Sequence, residues 1–108
     1  MKFDKITLSE RRKYEKRFGK IFRVSRKDYQ IVYCKNLVLD GKNLAGCCAS
    51  SQCKIFIDTQ YEQIKETLYH ELIHAEIAES GLRQTNGWSM DSEEIICEII
   101  SSMINLNR

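Results

Sequence analysis

The spacing of apolar residues changes near the middle of the chain. Before residue 59 they come in short clusters, with Lys20–Val24 and Tyr29–Cys34 rich in Ile, Val, Phe and Tyr. Further on come Leu44–Cys48 and then Lys54–Asp58, where Ile55 and Ile57 point to one side and Phe56 to the other. Successive side chains of a strand alternate between faces, so clusters of this length and composition predict strands. The charged stretch Ser25–Asp28 predicts a turn between the first two, and Asp40-Gly41 with Lys42-Asn43 predicts a loop. The last two clusters form a hairpin around Ala49–Cys53, giving a small, mostly antiparallel sheet.

After residue 59 the spacing becomes helical. Ile64, Leu68, Leu72, Ala75 and Ala78 mark one helix, entered through the capping-box spacing Thr59-Gln60-Tyr61-Glu62 and stopped by Gly81. A loop, Leu82–Met90, carries the single tryptophan, Trp88. Asp91 is placed to cap a last helix, which is expected to bury a broad side of Ile95, Ile96, Ile99, Ile100, Met103 and Ile104. A further capping box, Thr7-Leu8-Ser9-Glu10, and Gly19 bracket a charged N-terminal helix with Leu8, Tyr14 and Phe18 as its thin apolar stripe. The fold class is therefore α+β: a sheet packed on two helices, with residues 1–19 as a basic helical extension.

The 108 residues suit one domain, and no proline, repeat or low-complexity linker divides them. No apolar run is long enough to span a bilayer, and the charged N-terminus lacks a secretory pattern, so a cytoplasmic location and no membrane partner are expected. Five cysteines, none in a C-x-x-C pair, argue for reduced thiols rather than a disulfide framework. Cys47, Cys48 and Cys53 read as small apolar side chains of the hairpin rather than as a second metal site. The net charge of +2 hides a division. Residues 1–27 carry eleven Lys/Arg and three Asp/Glu, a balance of +8, and the remainder carries −6. A solvated basic face explains this without a ligand, and no helix-turn-helix or zinc-ribbon pattern accompanies it, so nucleic acid is not the expected partner.

The chemistry lies in His70-Glu71-Leu72-Ile73-His74, on the best-defined helix. Residues i and i+4 share a helix face, so both imidazoles can reach one ion. Zinc takes such nitrogens in a tetrahedral shell with one position left for water. Glu71 is rotated by one residue, beside that water, where it can take a proton and later return one to a leaving amine. Two ligands and a base thus occupy five residues, and these are the only two histidines in the chain. A third histidine in the same run would need Gly at 77 and His at 80, where the chain has Ile77 and Ser80. Glu93, Glu94 and Glu98 on the last helix remain as carboxylate candidates. Glu94 and Glu98 share a polar gap one turn apart, which suits one ligand and one partner that orients a ligand histidine. Spacing alone does not choose between them. Tyr69 and Trp88 are candidate oxyanion donors.

The stretch Glu66-Thr67-Leu68-Tyr69-His70-Glu71-Leu72-Ile73-His74-Ala75, followed by Glu79-Ser80-Gly81-Leu82, resembles the small zinc peptidases of phages and mobile elements, of the ImmA/IrrE type. Gly46 before a variable turn, and Ile55-Phe56-Ile57-Asp58 leading into the helix, extend the resemblance over about residues 20 to 106. It implies a minimal zincin-like domain and a zinc-dependent endopeptidase acting on a protein or peptide, in some relatives a repressor. It also implies Glu98 as third ligand, since Glu98-Ile99-Ile100-Ser101-Ser102-Met103 fits the family's glutamate and the run after it. Glu94 then becomes the orienting partner. Ile99 departs from the small residue usual there. Two rival readings are a zincin-like module that keeps zinc but only sequesters a protein, and a regulator that binds nucleic acid through the basic N-terminal segment.

Overall fold

The computed structural model describes residues 1–85 and 87–106, with side chains as far as Met103. The chain forms β1 (Lys2–Lys5), α1 (Leu8–Phe18), β2 (Ile21–Val24), β3 (Lys27–Leu39), β4 (Lys42–Asn43), β5 (Gly46–Ala49), β6 (Lys54–Asp58), α2 (Ile64–Ser80) and α3 (Met90–Leu106). Six strands make one sheet, and the α+β class expected from the pattern holds. Among the described residues no helix is long and apolar enough to cross a membrane.

The sheet is mostly antiparallel, as expected, and one parallel pairing makes it mixed. β3 is long enough to pair with β1, β2, β4 and β6, and its pairing with β6 is parallel, from Gln30 beside Lys54 to Cys34 beside Asp58. The chain leaves β3, turns back through β4 and β5, and returns as β6 between β3 and β5. Ile55, Phe56, Ile57 and Asp58 are consequently all buried, as suits an interior strand covered on both faces. Ile55 and Ile57 join Ile31, Tyr33, Ile64, Leu68 and Ala75 in the main core under α2, while Phe56 packs with Cys34 and Leu37 on the other face. Each fully buried aliphatic side chain contributes on the order of 1.5–3 kcal/mol, which suffices to fix this alternation. The predicted hairpin forms as β5 and β6, antiparallel, with Cys47 beside Phe56. β5 is the last strand of the sheet and leaves one edge free.

α1 has the predicted capping box, in which Thr7 Oγ1 accepts from the Glu10 amide at 3.1 Å. Tyr14 stacks on Tyr33 at 5.7 Å, and the Tyr33 hydroxyl donates to the Gly19 carbonyl at 2.6 Å, so the helix is tied to the sheet. Leu8, expected in the same stripe, is exposed. β1, read from sequence as part of the helical extension, is an edge strand whose Phe3 ring lies 5.3 Å from Phe56.

Three local expectations are corrected. Thr59 does not cap α2: its hydroxyl donates to the Cys34 carbonyl, closing the end of the β3–β6 pair, and the helix begins at Ile64. Ser89, not Asp91, serves the start of α3, its hydroxyl accepting from the Ser92 amide at 3.1 Å. Most of all, α3 faces the domain with Glu93, Cys97 and Ser101, whereas Ile95, Ile99, Ile100 and Met103 are exposed. Ile96 is half-buried, and the Ile104 side chain lies outside the described ones. The inward face is polar because α3 packs against the histidine face of α2, where its carboxylates have partners. Gly81 ends α2 in the left-handed conformation, as expected.

Candidate metal centre

The site is built where α2 and α3 face each other beside β5. His70 and His74 lie one turn apart on α2, with their Nε2 atoms 3.2 Å from each other. Glu94 of α3 completes the group, its Oε2 lying 3.2 Å from His70 Nε2 and its Oε1 2.9 Å from His74 Nε2. Three donors from two helices therefore converge on one point.

The other ring nitrogens are also engaged. His74 Nδ1 lies 2.5 Å from Glu93 Oε2, and His70 Nδ1 lies 3.3 Å from Glu98 Oε1. Glu98 thus stands at the nitrogen of His70 that is not turned to His74, and its side chain is 72% exposed. Cys97 is a further nearby donor, with Sγ within 4.8 Å of a nitrogen of each histidine. Burial, reinforced by Glu94 and Glu93, pushes this thiol up to about 12, so it is neutral in the metal-free chain, and only a bound cation would turn it into a thiolate ligand.

Glu93 was not singled out among the three glutamates by its spacing, yet it is the most completely enclosed of them. It is 0% exposed. Arg83 Nε and Nη2 donate to its two oxygens at 2.8 Å each, and Trp88 Nε1 donates at 3.2 Å. The Arg83 bonds hold its carboxyl down to about 2 against the cost of burial, so it is an anion beside His74. Arg83 and Trp88 both come from the α2–α3 connection, which is thereby fastened to the site. The available signal was Glu93's spacing of four and eight residues from Cys97 and Ser101, one helical face shared by small residues. Trp88 is spent on Glu93, and Tyr69 lines a different cleft with Arg17 and Phe22.

Glu71 is buried next to the histidines, with its carboxyl pushed upward chiefly by burial, while His74, His70 and the Cys48 amide pull the other way. β5 approaches α2 closely here because residue 46 is glycine. A Cβ at Gly46 would stand 2.6 Å from Thr67 Cγ2 and 3.1 Å from Glu71 Cγ. A cleft of about 780 Å³ runs between β5 and the two helices, with Gly46, Cys48, His70, Glu71, His74 and Glu94 among its lining residues. α1 contributes nothing to it.

Comparison of the chain with protein-family profiles, curated proteins and solved structures returned no match. The chemical reading of the site accordingly rests on its own geometry.

Proposed function

We propose that the chain is a zinc-dependent endopeptidase in which His70, His74 and Glu94 hold the metal and Glu71 is the general base. The observation that carries this reading is the convergence of two imidazole Nε2 atoms and a carboxylate within 3.2 Å of one another. That donor set fits zinc: two borderline nitrogens and one oxygen are the three-ligand complement of catalytic sites, and the residues that would hold it line the cleft. The distances favour reversing the roles that the resemblance gave to the glutamates. Glu94 meets both Nε2 atoms, whereas Glu98 meets only Nδ1 of His70 and is suited to orient that ring.

When bound, zinc would acidify a water and polarise a carbonyl. The remaining work falls to the chain itself. Glu71 takes the proton from the attacking water and passes it to the leaving nitrogen, a role helped by burial, which weakens its hold on a charge and raises its proton affinity. Glu93 keeps the His74 ring turned so that Nε2 faces the site. The free edge of β5 flanks the cleft and can hold an extended peptide by main-chain hydrogen bonds, bringing its backbone past Glu71.

The test is cleavage of a random peptide library by zinc-loaded protein, read by mass spectrometry, alongside Glu71→Gln. Wild type should cleave, and the variant should lose about 10²–10⁴ in rate while keeping its zinc, as expected for loss of a general base. A zinc-loaded wild type that cleaves nothing, or a variant that cleaves equally well, would overturn the peptidase reading. Zinc retained without cleavage would point to the sequestering module instead.

A further inference from the structure

α3 turns Glu93, Cys97 and Ser101 inward and leaves a row of large apolar residues bare. Ile95, Ile99, Ile100 and Met103 are 60%, 55%, 38% and 56% exposed. Ile95, Ile99 and Met103 recur every four residues and form one stripe along the helix, with Ile100 beside it. Together they present roughly 400 Å² of apolar surface, taking about 200 Å² for a fully exposed residue of this size, which reaches the range where exposed patches mark interaction sites.

We propose that this face pairs with the same face of a second copy, giving a twofold dimer of antiparallel α3 helices. Three observations choose this occupant. The stripe is symmetric about Ile99, so a twofold axis there sets Ile99 against its own copy and Ile95 against Met103, the reciprocal contact that an isologous interface needs. The charges are arranged for the antiparallel sense. Asp91, Glu93, Glu94 and Glu98 occupy the first half of α3, and no charged residue follows from Ile99 to Leu106. Antiparallel pairing lays the acidic half of each helix along the uncharged half of the other, whereas parallel pairing would bring like charges and like helix ends together. The area also suffices: at the roughly 65% apolar content of homodimer interfaces, 400 Å² corresponds to about 600 Å² per copy, the low end of specific interfaces. A lipid surface fits less well, since interfacial helices carry Lys and Arg and the charges of α3 are all acidic.

The stripe of Ile95, Ile99 and Met103 lies on the far side of α3 from Glu93, Cys97 and Ser101, so pairing along it leaves the cleft beside the histidines open. The inference does not depend on the peptidase reading.

Sedimentation velocity over about 1–200 μM, a span chosen for an interface at the low end of the size range, provides the test. The wild-type average mass should rise with concentration from 12.7 kDa towards twice that value. Ile99→Glu should weaken association at least tenfold with unchanged far-UV circular dichroism, because the position is exposed. Ile95→Lys and Met103→Glu should each weaken it, and the double variant should restore it by setting Lys against Glu twice across the axis. A wild type that stays monomeric throughout, dimers indifferent to Ile99→Glu, or a double variant no better than the singles would each overturn the proposal. The first of these results would leave the face to a different protein.

Discussion

Replacing Glu93 with glutamine keeps the side chain's size and hydrogen-bonding reach but removes its charge. In the native chain that charge receives two 2.8 Å bonds from Arg83 and one from Trp88, and it abuts His74 Nδ1. Losing one member of a buried ion pair costs about 3–5 kcal/mol, and an exposed pair is worth about 0–1. Arg83 is 31% exposed and can recover some hydration, so we expect a loss of about 2 kcal/mol. Chemical unfolding of the metal-free protein measures this directly. The carboxyl is held down to about 2 from an ordinary 4.5, so its stabilisation is complete above pH 4.5 and fades as pH falls towards 2. The variant should lack that component of acid sensitivity. Zinc affinity, measured by competition with a chelator, should fall about 10- to 100-fold, as for loss of a carboxylate that orients a ligand histidine. Stability and zinc affinity both within experimental error of wild type would refute the claim that Glu93 fixes His74.

Gly46→Ala should cost about 1–3 kcal/mol by overpacking and slow peptide cleavage, because a Cβ 2.6 Å from Thr67 must push α2 and Glu71 away from β5. Thr67→Ser, which removes the offending methyl, should restore part of both in an unfolding and cleavage assay. Burial, with a smaller effect from Asp58, pushes the Cys34 thiol up to about 12 from 9.0. The unfolded chain therefore loses this proton first, and the stabilisation, complete below pH 9, falls as pH rises towards 12. Between pH 8 and 10 the loss from this group is about 1.4 kcal/mol, and Cys34→Ala should remove that much of the pH dependence of unfolding. Thr7→Ala, which deletes the cap of α1, should cost about 1 kcal/mol in thermal or chemical unfolding.

Local signals in the sequence were read well where one strong physical preference acted alone. Thr7 and Gly19 bracket α1, Gly81 stops α2, and the alternation of Ile55, Phe56 and Ile57 across the sheet follows from its period of two. Signals failed where tertiary partners decided. Thr59 has the spacing of a cap, but the chain after it does not turn helical until Ile64, and its hydroxyl donates to a carbonyl of β3. Lys2–Lys5 has a single apolar residue and becomes a strand only because β3 offers it an edge. The orientation of α3 could not be found by counting apolar residues. Glu93 is tolerable inside only because Arg83, Trp88 and His74 meet it, and those partners come from elements that the helical pattern does not relate. The pentapeptide His70–His74 was legible because its geometry is local to one helix. The choice between Glu94 and Glu98 was not, since one turn of α3 separates them and only the packing of α3 on α2 says which ring nitrogen each will meet.

The most direct test of the metal assignment is elemental analysis of protein purified without chelator or affinity tag, for wild type and for His74→Ala, Glu94→Ala and Glu98→Ala. The geometry predicts about one zinc per chain in wild type. It predicts loss of that zinc in His74→Ala and Glu94→Ala, and retention at weakened affinity in Glu98→Ala. Zinc retained in Glu94→Ala but lost in Glu98→Ala would contradict the ligand set. A wild type that binds no zinc, even on titration, would contradict the metal centre itself.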